Sequence, residues 1–388
     1  MPDVRTAPAV FRLGDRGDAV VEIRDRLSRL DLLGDGPQHA DPGVFDEALD
    51  RAVRAFQQLR GLSVDGQVGP ATYRVLDEAR WRLGDRVLTH VPGNVLCGDD
   101  VVALQQRLLD LGFKVGRVDG RFDQRTEQAV RDFQRNIGVP ADGTCGPATL
   151  KALGRLAPIV RGGQPNALRA EERIRRAGPQ LTGKIVVIDP SVDRITDPVL
   201  RARAAEIVHD LARRVEGRLV ATGVQAFLTH RAGDEDGDEV DRAEFANRTD
   251  AHLCLSLAMD VSAHPEATGV ASYFYGSDAH GVRSTSGERF AGLVQREIVA
   301  RTDLADLRSH AKTWDLLRRT RMPAVRIDVG YVSNPGDVAR LSDGAFRDVV
   351  AEAIVVAVQR VYLAPDKDAK TGVMRLSELR EALRHHRP

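Results

Sequence analysis

Apolar residues recur at intervals of three and four through the first part of the chain. Val101, Leu104, Leu108 and Leu111 share one helical face, and Ala129, Val130 and Phe133 share another within 126–137. Turn signals punctuate these helices. A DGRF turn stands at 119–122 and Asp142-Gly143 at the next break. Gly146-Pro147-Ala148-Thr149 follows, where Pro147 suits a helix's first turn. A third, short helix ends near Leu153. The pattern is repeated: AVRAFQQLRGLSVDGQVGPATYRVL at 52–76 returns as AVRDFQRNIGVPADGTCGPATLKAL at 129–153, and 14–33 matches 98–113. Two three-helix units are therefore expected, with Phe56, Phe133 and the Leu stripe as core. The first unit carries a longer loop at 34–43.

Beyond residue 183 the pattern changes. Short apolar runs at 185–189 (IVVID), 224–229, 252–257, 270–275 and 324–329 read as strands. They alternate with helical periods at 199–219, 287–302 and 345–362, the last with Val349, Val350, Ile354, Val358 and Val361 on its apolar side. The acidic stretch 234–241 reads as an exposed loop entering a helix. Alternation of this kind predicts an α/β layered sheet. The expected architecture is multidomain: two small three-helix bundles followed by an α/β domain with a central, mostly parallel sheet. The boundaries read 10–80, 81–156, a linker at 157–183, the α/β domain at 184–363 and a tail at 364–388.

Composition narrows the classes of function. Lys+Arg and Asp+Glu both number 56, so the formal net charge is zero and nothing demands nucleic acid or an anionic membrane. No run of about 18 apolar residues predicts a spanning helix. The opening MPDVRTAPAVFRLGDRGD lacks a basic segment followed by an apolar one, so no secretory signal is expected. Cys97, Cys145 and Cys254 are far apart and form no metal-binding pair, which predicts buried reduced thiols. No HExxH, GxSxG or phosphate-cradling loop is present. The DEDGDE stretch at 234–239 lacks calcium-loop spacing.

The AVRxFQ, DGxxGPxT and LxxLG features of the two units resemble the peptidoglycan-binding domain-1 family, whose small bundles bind peptidoglycan stem peptides. Downstream, IVVIDP at 185–190, LCLSLA at 253–258 and MPAVRIDVGYVSNPGD at 322–337 resemble the zinc-dependent N-acetylmuramoyl-L-alanine amidases. That family reads MPAVLVEVGFLSNPED in the last segment. The resemblance implies a sheet of amidase type and a zinc-bound water attacking the bond between muramic acid and L-alanine. It also implies two His ligands, a Glu ligand and a second Glu that handles protons. Carried over by motif, those positions hold Val192, Ala258, Ala204 and Asp328, with Ser191 where the family has Gly. Val and Ala offer zinc no donor atom, and a catalytic zinc needs three. The expectation is a pseudo-amidase with no catalytic residue, no metal and no cofactor. Asp193, Glu206, His209 and Asp260 lie nearby, but the Glu206–His209 pair reads as a solvated helix face.

Two such repeats, a zinc-less amidase domain and a short tail together resemble a group of actinobacterial cytoplasmic regulators of cell-wall synthesis. GVASYFYG at 269–276 and KTWDLLRRTRMP at 312–323 support the likeness. It implies phosphorylation in the tail by a serine/threonine protein kinase and activation of MurA, the UDP-N-acetylglucosamine enolpyruvyl transferase. Thr371 and Ser377 are the candidate phosphosites; Ser377 could cap a helix over 378–386. Two other readings stay open. One is a sensor that binds muropeptide or a peptidoglycan precursor; the other is a working amidase.

Overall fold

The computed structural model describes residues 10–33, 41–156, 178, 180–234, 237–363 and 368. The linker residues 157–177 and most of the tail, with Thr371 and Ser377, lie outside the described residues. The chain divides into two compact units, one holding the repeats with the short segment 278–282, the other holding the α/β domain.

Each repeat folds as three helices: α1 (Asp18–Arg29), α2 (Glu47–Arg60) and α3 (Pro70–Glu78), then α4 (Asp99–Asp110), α5 (Gln124–Asn136) and α6 (Pro147–Arg155). Asp46 and Asp123 cap α2 and α5 by accepting from backbone N–H groups of the first turn, and Pro70 and Pro147 open α3 and α6. Phe56 and Phe133 are fully buried, each in its own apolar cluster, as the repeat pattern predicts. The polar letters of the motif have a structural reason. Gln134 is buried and donates through Nε2 to Asp142 Oδ1 (2.7 Å), Thr144 O (3.0 Å) and Thr149 Oγ1 (3.1 Å). Its Oε1 accepts from Gly143 N at 2.9 Å. One amide thus ties the Asp-Gly turn to the next helix start, and Gln57 repeats the pattern with Asp65, Gly66, Gln67 and Thr72. Such a turn needs backbone N–H groups satisfied without regular secondary structure. Cys145 and Cys254 are buried, whereas Cys97 is only half-buried because it lies in the irregular segment before α4.

The sheet comprises β1 (Ile185–Ser191), β2 (Gln225–Leu228), β3 (Leu253–Asp260), β4 (Val270–Ser277), β5 (Val282–Arg283), β6 (Asp306–Lys312) and β7 (Ala324–Tyr331). Their order is β2-β1-β3-β7-β4-β5, with β6 also on β4. Strands β1 and β2, β1 and β3, β3 and β7, and β4 and β6 pair in parallel and β4 and β7 antiparallel, so the sheet is mixed but mostly parallel. The helices are α7 (Pro198–Ala221), α8 (Glu239–Arg248), α9 (Thr285–Val299), α10 (Asp315–Arg319), α11 (Pro335–Ser342) and α12 (Gly344–Val361). Strand β6 and helices α10 and α11 were not predicted. In β6, DLRSHAK alternates in burial without an apolar run to mark it. Helix α12 is buried on nearly all sides from Val350 onward, rather than amphipathic, because α7, α9 and α11 pack against it. Val349, expected in its core stripe, is exposed.

Strand alternation sorts the sheet into two faces. Val186, Ile188, Leu253, Leu255, Leu257, Met259, Val325, Ile327 and Val329 join the apolar cluster beneath α7, α9 and α12. The alternate residues face the other way, and there the sheet is polar.

Candidate functional site

The registers of β1, β3, β7 and β4 set side chains in two rows on that polar face. Asp189, Ser256, Arg326 and Tyr273 form one row; Ser191, Ala258, Asp328 and Ala271 form the next, toward the carboxyl ends of the parallel strands. Ligands in open α/β sheets bind at these strand ends.

The rows hold a buried network of charges. Arg326 donates from Nε to Asp328 Oδ1 at 2.8 Å, and its Nη1 reaches Asp193 Oδ1 (3.3 Å) and Ser191 Oγ (3.4 Å). Arg242 of α8 donates to Asp193 Oδ2 at 2.8 Å and pairs with Asp189 Oδ1 at 2.9 Å. Asp189 is fully buried and also accepts from Ser256 Oγ (2.7 Å) and Thr229 Oγ1 (2.8 Å). Ser191 Oγ donates to Asp193 Oδ1 at 2.7 Å. Beside them Arg194 lies 3.4 Å over the Trp314 ring, with Tyr273 packed on the same indole at 4.7 Å between centroids.

Burial and charge act against each other here. Burial alone would raise the Asp193 carboxyl, but Arg326, Arg242 and Arg194 outweigh it and hold it well below the usual carboxylate range. Arg326 is likewise held more firmly protonated, since Asp328 and Asp193 overcome its burial. Asp260 shifts up through burial and the nearby charge of Asp328, and Glu239 shifts up through burial. Burial, then Arg326, lowers Arg194.

The four positions carried over from the amidase motifs do not converge as one site. Val192 and Ala204 are buried in the apolar cluster on the α7 side of the sheet. Ala258 and Asp328 are neighbours across β3 and β7 on the polar face. Asp193 joins the ionic network. Glu206 is exposed, but His209 is buried, not solvated, with its ring edge-on to His230 at 5.2 Å.

A zinc ion does not fit these residues. Val192, Ala204 and Ala258 supply no donor, Asp328 and Asp193 are already engaged by guanidinium, and two arginines stand where a dication would be repelled. Among the described residues no three His, Cys, Asp or Glu side chains converge as metal donors. The arginines of this site were missed from sequence. Arg326 carried the signal: a basic residue two before Asp328 inside AVRIDV, a run read as a buried strand.

Comparison with known proteins places these features. A model of the N-acetylmuramoyl-L-alanine amidase family matches residues 196–360, and a peptidoglycan binding domain model matches 16–76 and 97–153. N-acetylmuramoyl-L-alanine amidase CwlM of Mycobacterium tuberculosis is 46% identical over 381 residues, covering 95% of this chain and 93% of the relative. The germination-specific N-acetylmuramoyl-L-alanine amidase of Bacillus subtilis is 24% identical over 201 residues, 47% of this chain and 81% of the relative. Among solved structures, N-acetylmuramoyl-L-alanine amidase AmiC2 of Nostoc punctiforme shares 26% identity with a TM-score of 0.41, covering 46% of this chain and 96% of that one. The chain belongs to the N-acetylmuramoyl-L-alanine amidase family of CwlM type, with two peptidoglycan-binding repeats ahead of an amidase-fold α/β domain.

Proposed function

We propose that this chain is a non-catalytic member of its family, a cytoplasmic regulator of peptidoglycan precursor synthesis. It activates MurA by direct contact when a serine/threonine kinase has phosphorylated its tail. The observation that carries the non-catalytic reading is the composition of the strand ends. Where the family's chemistry requires zinc ligands, this chain has Val192, Ala204 and Ala258, and an arginine–carboxylate network occupies the polar face. Without a metal there is no activated water and no Lewis acid for the amide carbonyl. The choice of MurA and of the kinase rests on the combination of repeats, altered amidase domain and tail.

The test has two arms. Metal analysis of the purified chain should find no stoichiometric zinc, and incubation with muropeptides should release no stem peptide. One zinc per chain together with hydrolysis would sink the non-catalytic reading. Separately, the kinase-treated chain should stimulate MurA turnover and the untreated chain should not.

A further inference from the structure

We infer that Arg326 is this site's own cation: a tethered positive charge that stands in for a metal, excludes one, and depends on the small side chain at Ala258. Strand β3 lies between β7, which carries Arg326, and β1, which carries Ser191. Two strand spacings amount to about 9.6 Å. Yet Arg326 Nη1 lies 3.4 Å from Ser191 Oγ and 3.3 Å from Asp193 Oδ1. The side chain must therefore cross β3. The residues of β3 on that face are Ser256, level with Arg326, and Ala258, level with Asp328. Both are small, and both are fully buried. An imidazole at position 258 would stand in the path of the crossing guanidinium. Loss of a donor at 258 and presence of a cation at 326 are thus one arrangement rather than two independent changes.

The charges fit this assignment. Asp193 and Asp328 are anionic groups at the strand ends, and Arg326 bridges them. Arg326 Nη2 is buried without a hydrogen-bond partner, so the guanidinium is held by its ion pairs rather than by complete bonding. A dication brought to the same place would meet a fixed like charge and carboxylates already engaged. The inference builds on the reading of this domain as non-catalytic, and the two fail differently. Zinc with hydrolysis on the unaltered chain overturns that reading, whereas the variants below interrogate Arg326.

The experiment adds one donor on the polar face, where Asp328 and Asp193 already lie, as A258H in the full chain, and titrates zinc against a competing chelator. Adding R326Q, which keeps a donor for Asp328 but removes the charge, should tighten zinc binding at least about tenfold, the scale on which neighbours of a metal site act. Adding R326K should not. Equal affinity with and without R326Q would overturn the inference. Thermal melting of A258H, R326Q and A258H/R326Q is a second, independent arm. The crossing predicts that the double variant melts above the sum of the two single losses. Additive losses would overturn it.

Discussion

Asp193 shows how a single carboxyl can make stability depend on pH. Its folded value lies below its ordinary 3.8 because three guanidinium groups surround it. The unfolded chain therefore binds the proton more readily. The stability this contributes is complete above that ordinary value and is lost as pH falls toward the folded one. Asp193→Asn should cost roughly 1–3 kcal/mol at neutral pH, through charge-assisted bonds made neutral. Urea unfolding at pH 7 and at pH 3 tests this: the gap between the two proteins should shrink at the lower pH, and an unchanged gap would contradict the assignment. The same residue marks a limit of sequence reading. Asp193 could be placed near the altered motif, but not its partners, because Arg242 and Arg326 come from α8 and β7, far along the chain. That Val192, Ala204 and Ala258 carry no donor atom is plain from the sequence, because an absent atom needs no geometry. That they fall on two different faces of the sheet is not.

At the level of elements, the segment SNPGD after β7 is a helix start made from side chains. Asn334 accepts from Gly336 and Asp337 N–H at 2.9 and 3.0 Å, and Pro335 opens α11. Asp337 is fully buried and accepts from Tyr331 N (2.9 Å), Gly269 N (3.1 Å) and Thr268 Oγ1 (2.5 Å). It fastens the end of β7 to the loop before β4. Asp337→Ala leaves two buried N–H groups unpaired and should cost about 2–5 kcal/mol. Thermal melting would show it, and a loss under about 1 kcal/mol would mean the loop re-forms its bonds elsewhere. Gln134→Ala makes the parallel case in the repeats. It strands Gly143 N and should speed hydrogen exchange there, with Gln57→Ala doing the same at Gly66. Exchange unchanged at Gly143 would remove the structural account of the motif. The repeats were legible because their apolar period, turn residues and self-similarity agree. Strand β6 was not, since its inward residues Leu307, Ser309 and Ala311 include only one large apolar side chain. Nor was the all-round burial of α12, which depends on what packs against it.

The two units meet their constraints differently, and that bears on where a switch could be placed. The α/β unit buries a large apolar cluster and closes its polar face with ion pairs, and each repeat has a small core of its own. The tail differs in sequence. Thr371 stands among Lys367, Lys370 and Arg375, and a phosphate there adds about −1.5 to −2 charges with strong acceptor oxygens, enough to recruit an arginine-bearing surface. Ser377, ahead of a helical pattern, is the second candidate, since negative charge is favoured at a helix start. Truncation should respect one contact: Asp368 pairs with Arg360 Nε at 2.7 Å, and Arg360 is fully buried. A chain ending at Ala369 removes both candidates and keeps that pair, so a loss of function would not reflect a damaged α12. After kinase treatment, stimulation of MurA should be full for the wild type, strongly reduced for Thr371→Ala, less reduced for Ser377→Ala, and absent for the chain ending at Ala369. If the shortened chain stimulates as well as the phosphorylated wild type, the tail is not the switch. The activating surface would then belong to the repeats or to the amidase-fold unit.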